Sequence, residues 1–358
     1  MRILFITPYP YGKAPSQRFR FEQYLQELTD RGWTYKISPF VDDAAWEVLY
    51  ANGHLLRKFA GIVRGYWRRF IDLLLLFKYD IVFIHREASP FGPPLIEWFI
   101  TRIFRKYTIY DFDDAIWIPN ASDSNKHLTG IFKFFGNMEK ICKWSNVIAA
   151  GNGYLAKQAL QFNSNVKVLP TTIDTVALHN QVVPHDEDNL VIGWTGSHST
   201  LPLLDFIVPV LKDLQDHYNF EFVVICDTPP KFKLKRMSFV PWSKETEISD
   251  LLRFNIGVMP LPDNEWTKGK CGFKALQYMS VGVPPVVSAV GVNVEIVDHE
   301  INGLLCHDLK DWKICLERLI KDRQFLRDLS SRTREKVELH YSVNAQKTMF
   351  LSLFNSPA

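Results

Sequence analysis

The chain has 358 residues, about twice the usual domain length of roughly 150 residues, so two domains are expected. Hydrophobic residues make up 47% and charged residues 23%, which excludes a disordered, collagen-like or disulfide-scaffold chain. The net charge of +3 does not by itself indicate a nucleic-acid partner. However, residues 1–170 contain 22 basic and 15 acidic residues, a charge of +7, whereas residues 171–358 contain 20 basic and 24 acidic residues, a charge of −4. This difference indicates that one face binds an anionic partner.

Strand-like and helix-like runs alternate along the first half, a pattern typical of a doubly wound parallel α/β sheet. The predicted strands are Arg2–Thr7, Ile81–His85, Thr108–Phe112, Asn146–Ala150 and Val166–Pro170. Helices are predicted over Gln17–Arg31 and Gly153–Phe162. The sequence therefore predicts one Rossmann-like domain over residues 1–172.

The segment His54–Phe77 repeats apolar residues every three or four positions and carries arginines on another face. Its charges exclude a helix that spans a bilayer. Two interpretations stay open: a basic amphipathic helix that lies in a membrane interface, and a helix that packs on the core with a solvated basic face.

Charged side chains follow the ends of predicted strands, where open α/β sheets place functional groups. Asp113 and Asp114, in the run Tyr110–Ala115, are the candidate catalytic residues, and a metal bound by Asp111 and Asp113 is the less favoured interpretation. Two interpretations of the other charged residues near these strand ends stay open: they bind the acceptor, or they are ordinary exposed side chains, which are common for arginine. The candidate acceptor-side residues are Arg18, Arg20, Arg86 and Glu87.

A polar stretch over residues 173–189 lacks periodicity and is predicted to be a linker, after which the alternation restarts. The predicted strands are Leu190–Trp194, Phe220–Cys226, Ile256–Leu261 and Pro285–Ser288, and the predicted helices are Leu201–Gln215, Lys244–Leu252 and Gly272–Val281. The sequence thus predicts a second Rossmann-like domain over residues 190–340, with a ligand in the cleft between the domains. A C-terminal helix at 341–358 is expected to pack toward the first domain.

Two segments of the second domain suit a bound diphosphate. Gly196, Ser197 and His198 lie where a strand runs into a helix start, although an ordinary helix cap would explain them equally well. Three lysines surround glycines just ahead of a helix, where the helix dipole favours an anion. The candidate donor-binding residues of this second segment and its surroundings are Lys268, Lys270, Lys274, Gln277 and Trp242.

The segment Gly269–Val287, GKCGFKALQYMSVGVPPVV, resembles GT-B-fold glycosyltransferases of family 4, the group 1 type. Those enzymes have Gly-Phe-Gly, a helix with Glu-Ala-Met-Ala, and then Gly-x-Pro-Val-Val. The resemblance extends to the Gly-Ser turn at 193–197 and implies two Rossmann-like domains facing across a cleft. The family's Glu-x7-Glu pair is absent, because Gln277 and Gly269 fall at or near its positions, and the family's histidine falls on or close to Asp113. This pattern describes a divergent subgroup in which Lys270 and Lys274 bind the diphosphate.

The predicted activity is transfer of a sugar, of the hexosyltransferase type, from a nucleotide-sugar donor to a hydroxyl of a glycan or lipid-linked acceptor. The resemblance implies retention of the anomeric configuration, and no cofactor or metal is expected, because lysines and a helix N-terminus can neutralise the leaving diphosphate. The odd number of widely spaced cysteines, five in all, predicts a cytoplasmic protein. The basic first domain predicts that it works at the inner face of a membrane, in bacterial polysaccharide or glycolipid assembly. A nucleic-acid partner is not expected. Two alternatives remain: a nucleotide-sugar epimerase, and a noncatalytic nucleotide-sugar-binding subunit of a glycan-assembly complex.

Overall fold

The computed structural model describes residues 1–49, 51, 53–118, 136–182 and 189–355. The chain divides into two compact units: the first combines Met1–Thr171 with Gln346–Ala358, and the second is Thr172–Ala345. Within the described residues, each unit contains one parallel sheet of six strands, and helices form most of the connections between its strands. Residues 183–188 of the predicted linker and residues 356–358 of the predicted tail lie outside the described residues.

The first unit has the strand order β2-β1-β3-β4-β5-β6. The strands are β1 (Arg2–Thr7), β2 (Thr34–Pro39), β3 (Ile81–His85), β4 (Tyr107–Phe112), β5 (Val147–Ala150) and β6 (Val166–Val168). The helices are α1 (Pro15–Arg18), α2 (Leu25–Asp30), α3 (Asp43–Leu49), α4 (Leu55–Leu74), α5 (Leu95–Trp98), α6 (Asn137–Trp144) and α7 (Gly153–Ala159). Short 3₁₀ turns at Glu22–Tyr24 and Leu76–Lys78 and a π-helical turn at Phe99–Ile103 supplement them.

The second unit has the strand order β12-β11-β10-β7-β8-β9. The strands are β7 (Val191–Thr195), β8 (Glu221–Cys226), β9 (Met237–Pro241), β10 (Ile256–Met259), β11 (Pro285–Ser288) and β12 (Leu304–Cys306). The helices are α8 (Val208–His217), α9 (Glu247–Leu251), α10 (Glu265–Lys268), α11 (Phe273–Ser280), α12 (Asn293–Ile296), α13 (Leu309–Lys321) and α14 (Arg323–His340). The last helix, α15 (Val343–Ser352), begins in this unit and continues into the C-terminal segment of the first unit. A 3₁₀ turn at Leu201–Phe206 precedes α8.

The predicted α/β class with two parallel, doubly wound sheets is confirmed, and the central strands lie where the sequence placed them. The sequence analysis missed β2, β9 and β12, each of which is at an edge of its sheet. An edge strand is covered by fewer neighbours, so it can be mixed in polarity and lack the continuous apolar run of a central strand, as in β2 and β9. β2, for example, begins with two exposed residues and ends in Pro39. β12 is apolar but contains only three residues.

Two predicted helices are broken in the structure, each for a local reason. The predicted helix Gln17–Arg31 is divided into α1, a 3₁₀ turn and α2, because the run Gln17–Glu22 is buried on every side and cannot present one solvated helical face. The predicted helix Leu201–Gln215 is divided before Val208, because Pro209 lacks a backbone N–H and so starts a new helix.

The C-terminal segment contributes aromatic side chains to the core of the first unit. Phe350 stacks on Tyr24 with ring centroids 4.4 Å apart, and Phe354 stacks on Phe83 at 6.2 Å. Phe83 is in the middle of β3, so this segment packs directly on the sheet. Truncation before Phe350 would expose this cluster of rings to water.

The long helix α4 is fixed to the sheet by a buried polar side chain rather than by an apolar stripe. Arg69 is fully buried and donates to the carbonyl oxygens of Thr7 at 2.8 Å, Ser38 at 2.9 Å and Ala88 at 2.6 Å, and it pairs with Asp72 at 3.2 Å. Burial lowers the pKa of Arg69 to about 10, which leaves the guanidinium charged at neutral pH. One side chain therefore ties α4 to the ends of β1 and β2 and to the loop after β3.

We expect Arg69→Met to lower the free energy of unfolding by about 3–5 kcal/mol, because it leaves Asp72 as a buried charge without this partner and unpairs the three carbonyls. Chemical denaturation of the purified variant measures the change. The control is Arg57→Met, an exposed position on the same helix, which should change stability by less than about 0.5 kcal/mol. Equal stabilities of the two variants would contradict the anchoring role of Arg69.

Candidate functional site

In the second unit, the turn after β7 brings a glycine and a lysine from distant parts of the sequence into contact. A Cβ atom on Gly196 would lie 2.4 Å from the ring of Trp194 and 2.9 Å from Cε of Lys274, so only glycine fits there. The ammonium of Lys274 lies 5.5 Å from the centre of the Trp194 ring. The structure thus places Gly196 and Lys274, predicted separately as diphosphate ligands, side by side at the carboxyl end of β7.

The other two predicted lysines differ in their surroundings. Nζ of Lys270 lies 4.0 Å from the centre of the Trp266 ring, which is a cation–π contact. Nζ of Lys268 lies 3.4 Å from both Asp263 and Glu265, and these carboxylates raise the pKa of Lys268. Lys268 is therefore the poorest candidate of the three for a phosphate ligand, because two acids already surround its charge.

The helix α11 is positioned by a glycine at one end and a tyrosine near the other. Gly272 precedes α11 with a φ of +67°, and a Cβ there would lie 2.1 Å from Cδ1 of Ile296. The buried hydroxyl of Tyr278 accepts a hydrogen bond from the Thr195 amide at 3.0 Å and donates to the Val258 carbonyl at 3.3 Å. These contacts tie α11, with Lys274 in its first turn, to the ends of β7 and β10.

His198 and Ser197 occupy the turn between β7 and the following 3₁₀ turn. The backbone amide of His198 donates to Asp227 at 2.6 Å, and its Nδ1 lies 2.6 Å from the same carboxylate, which follows β8. Partial burial raises the pKa of Asp227, but the bonds from His198 outweigh it and hold that pKa below the ordinary value. The Ser197 hydroxyl is bonded to Ser199 at 2.9 Å. Asp227 thus fixes the turn and was missed by the sequence analysis, since nothing nearby in sequence marks it.

Gln277 faces a carboxylate supplied by a different helix. It is 3% exposed, and its Nε2 donates to Oε1 of Glu247 at 3.3 Å. Glu247, which begins α9, is itself buried. Glu247 was not predicted, because it lies 30 residues from Gln277 and no local motif connects the two positions. Trp242 is half-buried, and its backbone amide donates to the carbonyl of Cys226 at the end of β8 at 2.9 Å.

In the first unit, the neighbouring strands β3 and β4 place His85 beside Asp111. Nδ1 of His85 lies 2.6 Å from Oδ2 of Asp111, while Arg20 donates to Oδ1 of the same carboxylate and to the carbonyl of Leu169. All three charged or polar side chains are buried. Burial raises the pKa of Asp111, but Arg20 and His85 outweigh it and hold the pKa below the ordinary value.

The expected surface position of Arg20 is therefore wrong. Its guanidinium is 1% exposed and is used inside the unit to compensate the buried charge of Asp111. Arg18 is also buried, and its guanidinium lies 5.0 Å from the centre of the Phe19 ring. The interpretation in which Arg18 and Arg20 are ordinary exposed arginines is therefore wrong, since both are buried.

The Asp111 cluster should make the first unit acid-sensitive. A carboxyl group with a lowered folded pKa stabilises the fold fully above its unfolded pKa of about 3.9, and this stabilisation is lost as the pH falls through the folded pKa. We therefore expect Asp111→Asn to destabilise the protein at pH 7 and to flatten the loss of stability below about pH 4. Denaturant melts at a series of pH values measure this, with the exposed Asp205→Asn as control. Parallel stability curves for the wild type and Asp111→Asn would contradict it.

Arg86, directly after β3, is bonded to the predicted catalytic carboxylate of Asp113. Arg86 has a φ of +60°, a conformation uncommon outside glycine, and both its Nε and its Nη2 lie 2.8 Å from Oδ1 of Asp113. Burial raises the pKa of Asp113, but Arg86, together with His85 and Arg20, outweighs it and holds the pKa below the ordinary value. Asp114 accepts from the Ala115 amide at 3.0 Å, and both aspartates are half-buried. Glu87 is half-buried beside Arg86.

The structure therefore gathers Arg86, Asp113, Asp114 and Glu87 at the carboxyl ends of β3 and β4, as expected from the sequence. No group of three or more His, Cys, Asp or Glu side chains in the described part of the chain is arranged to hold a metal ion.

The second unit matches a known family. Residues 189–322 match the model of the family described as "Glycosyl transferases group 1". The match covers most of the second unit and none of Met1–Thr171. It confirms the resemblance inferred from Gly269–Val287, and the matched residues include every donor-side residue named above. None of the curated proteins compared with the chain matches it.

Solved structures extend the comparison to the whole chain. Sucrose-phosphate synthase from Thermosynechococcus elongatus has a TM-score of 0.74 at 14% identity, covering 99% of this chain and 98% of its own. The Anabaena protein HepE in complex with UDP and glucose has a TM-score of 0.62 at 12% identity, with 99% of each chain covered. The lipopolysaccharide outer core galactosyltransferase WaaB has a TM-score of 0.62 at 15% identity, also with 99% of each covered. These likenesses confirm the predicted GT-B fold for the chain.

Proposed function

We propose that the protein transfers a hexosyl group from a nucleotide-sugar donor to a hydroxyl acceptor, with the second unit binding the donor. The observation that carries this proposal is the contact between Lys274 and Gly196 beside the first turn of α11. A lysine, a glycine turn with backbone N–H groups and a helix N-terminus are together suited to a diphosphate. The complex of HepE with UDP and glucose, on the same fold, supports a nucleotide-sugar ligand of this kind.

The chemical task is to stabilise the leaving nucleoside diphosphate. The bond between the anomeric carbon and the diphosphate oxygen breaks, the acceptor oxygen bonds to the anomeric carbon, and the acceptor proton leaves. Lys274 and Lys270, with the amides around Gly196 and Ser197, would take up the negative charge that develops on the diphosphate, without a metal or other cofactor. Retention of configuration is inferred from the group 1 match.

The nucleoside part of the donor needs partners for its hydroxyl groups. We propose that Gln277 and Glu247, which face each other at 3.3 Å, bind the ribose hydroxyls together. The amide can donate or accept and the carboxylate can only accept, so the pair supplies the acceptor capacity that the family places on a glutamate at the position of Gln277. Trp242, at the end of β9, is the candidate to contact the base.

The acceptor side of the proposal rests on the first unit. Asp113 would orient or deprotonate the acceptor hydroxyl, and its lowered pKa keeps it ionised at neutral pH. The acceptor is a glycan or a lipid-linked glycan of bacterial polysaccharide or glycolipid assembly. We propose that the protein acts in the cytoplasm, at the inner face of the membrane.

A screen of nucleoside diphosphates and nucleotide sugars by thermal shift tests the donor site, because a ligand that binds the folded state raises Tm by mass action. We expect a selective rise with one base that Lys274→Ala removes and Lys310→Ala, an exposed lysine of the same unit, retains. The absence of any shift in folded protein would overturn the donor site. Turnover of the shifting nucleotide sugar without an acceptor would instead indicate an epimerase.

A noncatalytic binding subunit is the second candidate, because Gln277 stands where the family has a glutamate. It predicts the same thermal shift but no sugar transfer to any acceptor. Incubation of the shifting nucleotide sugar, labelled in the sugar, with bacterial lipid and glycan extracts separates the two functions. Label appearing in a glycan or lipid product supports transfer, and binding without product supports the subunit.

A further inference from the structure

One stripe of apolar side chains on the helix α4 faces away from its own unit. This stripe along α4 and the 3₁₀ turn that follows contains only large apolar residues, spaced three or four positions apart and 49% to 86% exposed. This stripe is Leu56, Phe59, Val63, Trp67, Phe70, Leu74 and Phe77. The interpretation in which these residues pack on the core is therefore wrong, and the interpretation as a surface helix remains.

The opposite face of α4 explains this orientation. Gly61 and Gly65 lie against the neighbouring structure so closely that a Cβ would be 2.7 Å from Cβ of Ala45 and 2.8 Å from the ring of Phe40. Arg69 and Asp72 continue the same face with the buried hydrogen bonds described above. Two glycines and a fixed ion pair thus determine how the helix is rotated, so the apolar stripe faces outward in the folded protein.

A second apolar segment lies on the same side of the sheet. The connections from β2 to β3 and from β3 to β4 run in the same direction along the sheet, and right-handed crossovers place both on one face. The hydroxyl of Tyr66 in α4 donates to the carbonyl of Phe91 at 2.8 Å, which joins the two connections. The exposed large apolar residues of the second connection are Leu95, Trp98, Phe99, Ile103 and Phe104.

Charge accompanies both segments and has one sign at the surface. Residues 55–78 and 95–106 contain nine lysines and arginines and only two acids, Asp72 and Glu97. Both of these acids are buried. Arg57, Lys78, Arg102 and Arg105 are exposed beside the apolar residues. The surface therefore combines Trp, Phe and Leu with arginine and lysine and shows no exposed carboxylate within these two segments.

We propose that this surface, residues 55–78 with 95–106, docks on the interface of an anionic lipid bilayer. Exposed aromatic and aliphatic side chains with a basic fringe are the composition of helices that lie in that interface. A second copy of the chain fits less well, because a twofold contact would bring the same basic surface against itself. No helix among the described residues is long and apolar enough to cross a membrane, so the docking is peripheral. This docking would hold the proposed transferase at a membrane surface, and only the identity of the acceptor depends on the proposed function.

Sedimentation with vesicles tests the docking surface, using phosphatidylglycerol mixed with phosphatidylcholine against phosphatidylcholine alone. We expect the wild type to partition onto the anionic vesicles and to be released progressively by salt, since screening weakens the basic contacts. Leu74→Glu should lower the partition coefficient at least about tenfold, because it places a charge in the apolar stripe. The matched control is Leu339→Glu on α14, because Leu339 is 62% exposed and Leu74 is 59% exposed.

Circular dichroism melts of both variants establish that each is folded, and Trp67→Ser provides a second, uncharged test in the same stripe. Equal partition of Leu74→Glu, Leu339→Glu and the wild type would overturn the proposal, as would a wild type that ignores anionic vesicles. A wild-type dimer that Leu74→Glu dissociates, without vesicle binding, would also overturn it and assign the surface to a second copy. Vesicle binding needs no nucleotide, so its outcome is independent of the thermal shift that tests the donor site.

Discussion

Replacing Lys274 by alanine is expected to lower sugar transfer by about 100-fold or more, while the protein stays folded. The ammonium lies beside Gly196 at the end of β7 and in the first turn of α11, where the leaving diphosphate would bind. Its charge would stabilise the transition state more than the ground state, because negative charge on the diphosphate grows as the bond between the anomeric carbon and the diphosphate oxygen breaks. Initial rates at saturating acceptor, with the donor identified by thermal shift, measure the loss.

Lys268→Ala is the matched control for this prediction, since it removes a lysine six residues before Lys274 in the same segment, on the other side of Gly269 and Gly272. Lys268 lies between Asp263 and Glu265, so we expect its loss to change the rate by less than about threefold. Equal rates for Lys274→Ala and the wild type, in protein that still binds the donor, would contradict the role of Lys274. A large loss in both variants would show that the segment acts through its overall charge instead.

Asp113→Asn is expected to lower the rate of transfer by about 100-fold, with little effect on donor binding. The substitution keeps an oxygen that Arg86 can bond, so the local geometry survives while the basic carboxylate is removed. The loss should appear in kcat for the acceptor reaction, whereas the thermal shift caused by the donor should remain that of the wild type. Measuring both on one preparation separates chemistry from binding.

The control for Asp113 is Asp114→Asn, because the two aspartates are adjacent and both are half-buried. Asp114 bonds the Ala115 amide and Asp113 bonds Arg86, so the structure separates two side chains that the sequence treated alike. A larger loss in Asp114→Asn than in Asp113→Asn would transfer the catalytic assignment to Asp114. Wild-type rates in both variants would remove the carboxylates from the mechanism.

Features encoded within a short window of the chain were predicted well. The apolar runs of β1, β3 and β11 were placed at their observed bounds, since a strand buried on both faces must be apolar throughout. The glycine turn at Gly196 and the lysines before α11 were also found, because each lies in one continuous segment. The edge strands β2 and β9 were missed because their sequences mix polar and apolar residues, and β12 was missed because it has only three residues.

The candidate site shows the same division. Asp113 and Arg86 were both named from strand ends, but their pairing depends on the parallel register of β3 and β4. Glu247 was not named, because its contact with Gln277 joins residues that local periodicity cannot relate. Arg20 was placed at the surface because a charged side chain is usually exposed, yet here Asp111 compensates its burial.

By itself, the sequence determined the α/β class, the two parallel sheets and the group 1 resemblance, because periodicity, buried strands and glycine turns are local properties. Only the tertiary structure decided which residues meet and which way each helix faces. The helix α4 is the clearest case: its sequence shows an apolar stripe, but Gly61, Gly65 and Arg69 hold the opposite face against the sheet. Close backbone approach and buried ion pairs are formed between distant segments, so they fix an orientation that amphipathicity alone leaves open.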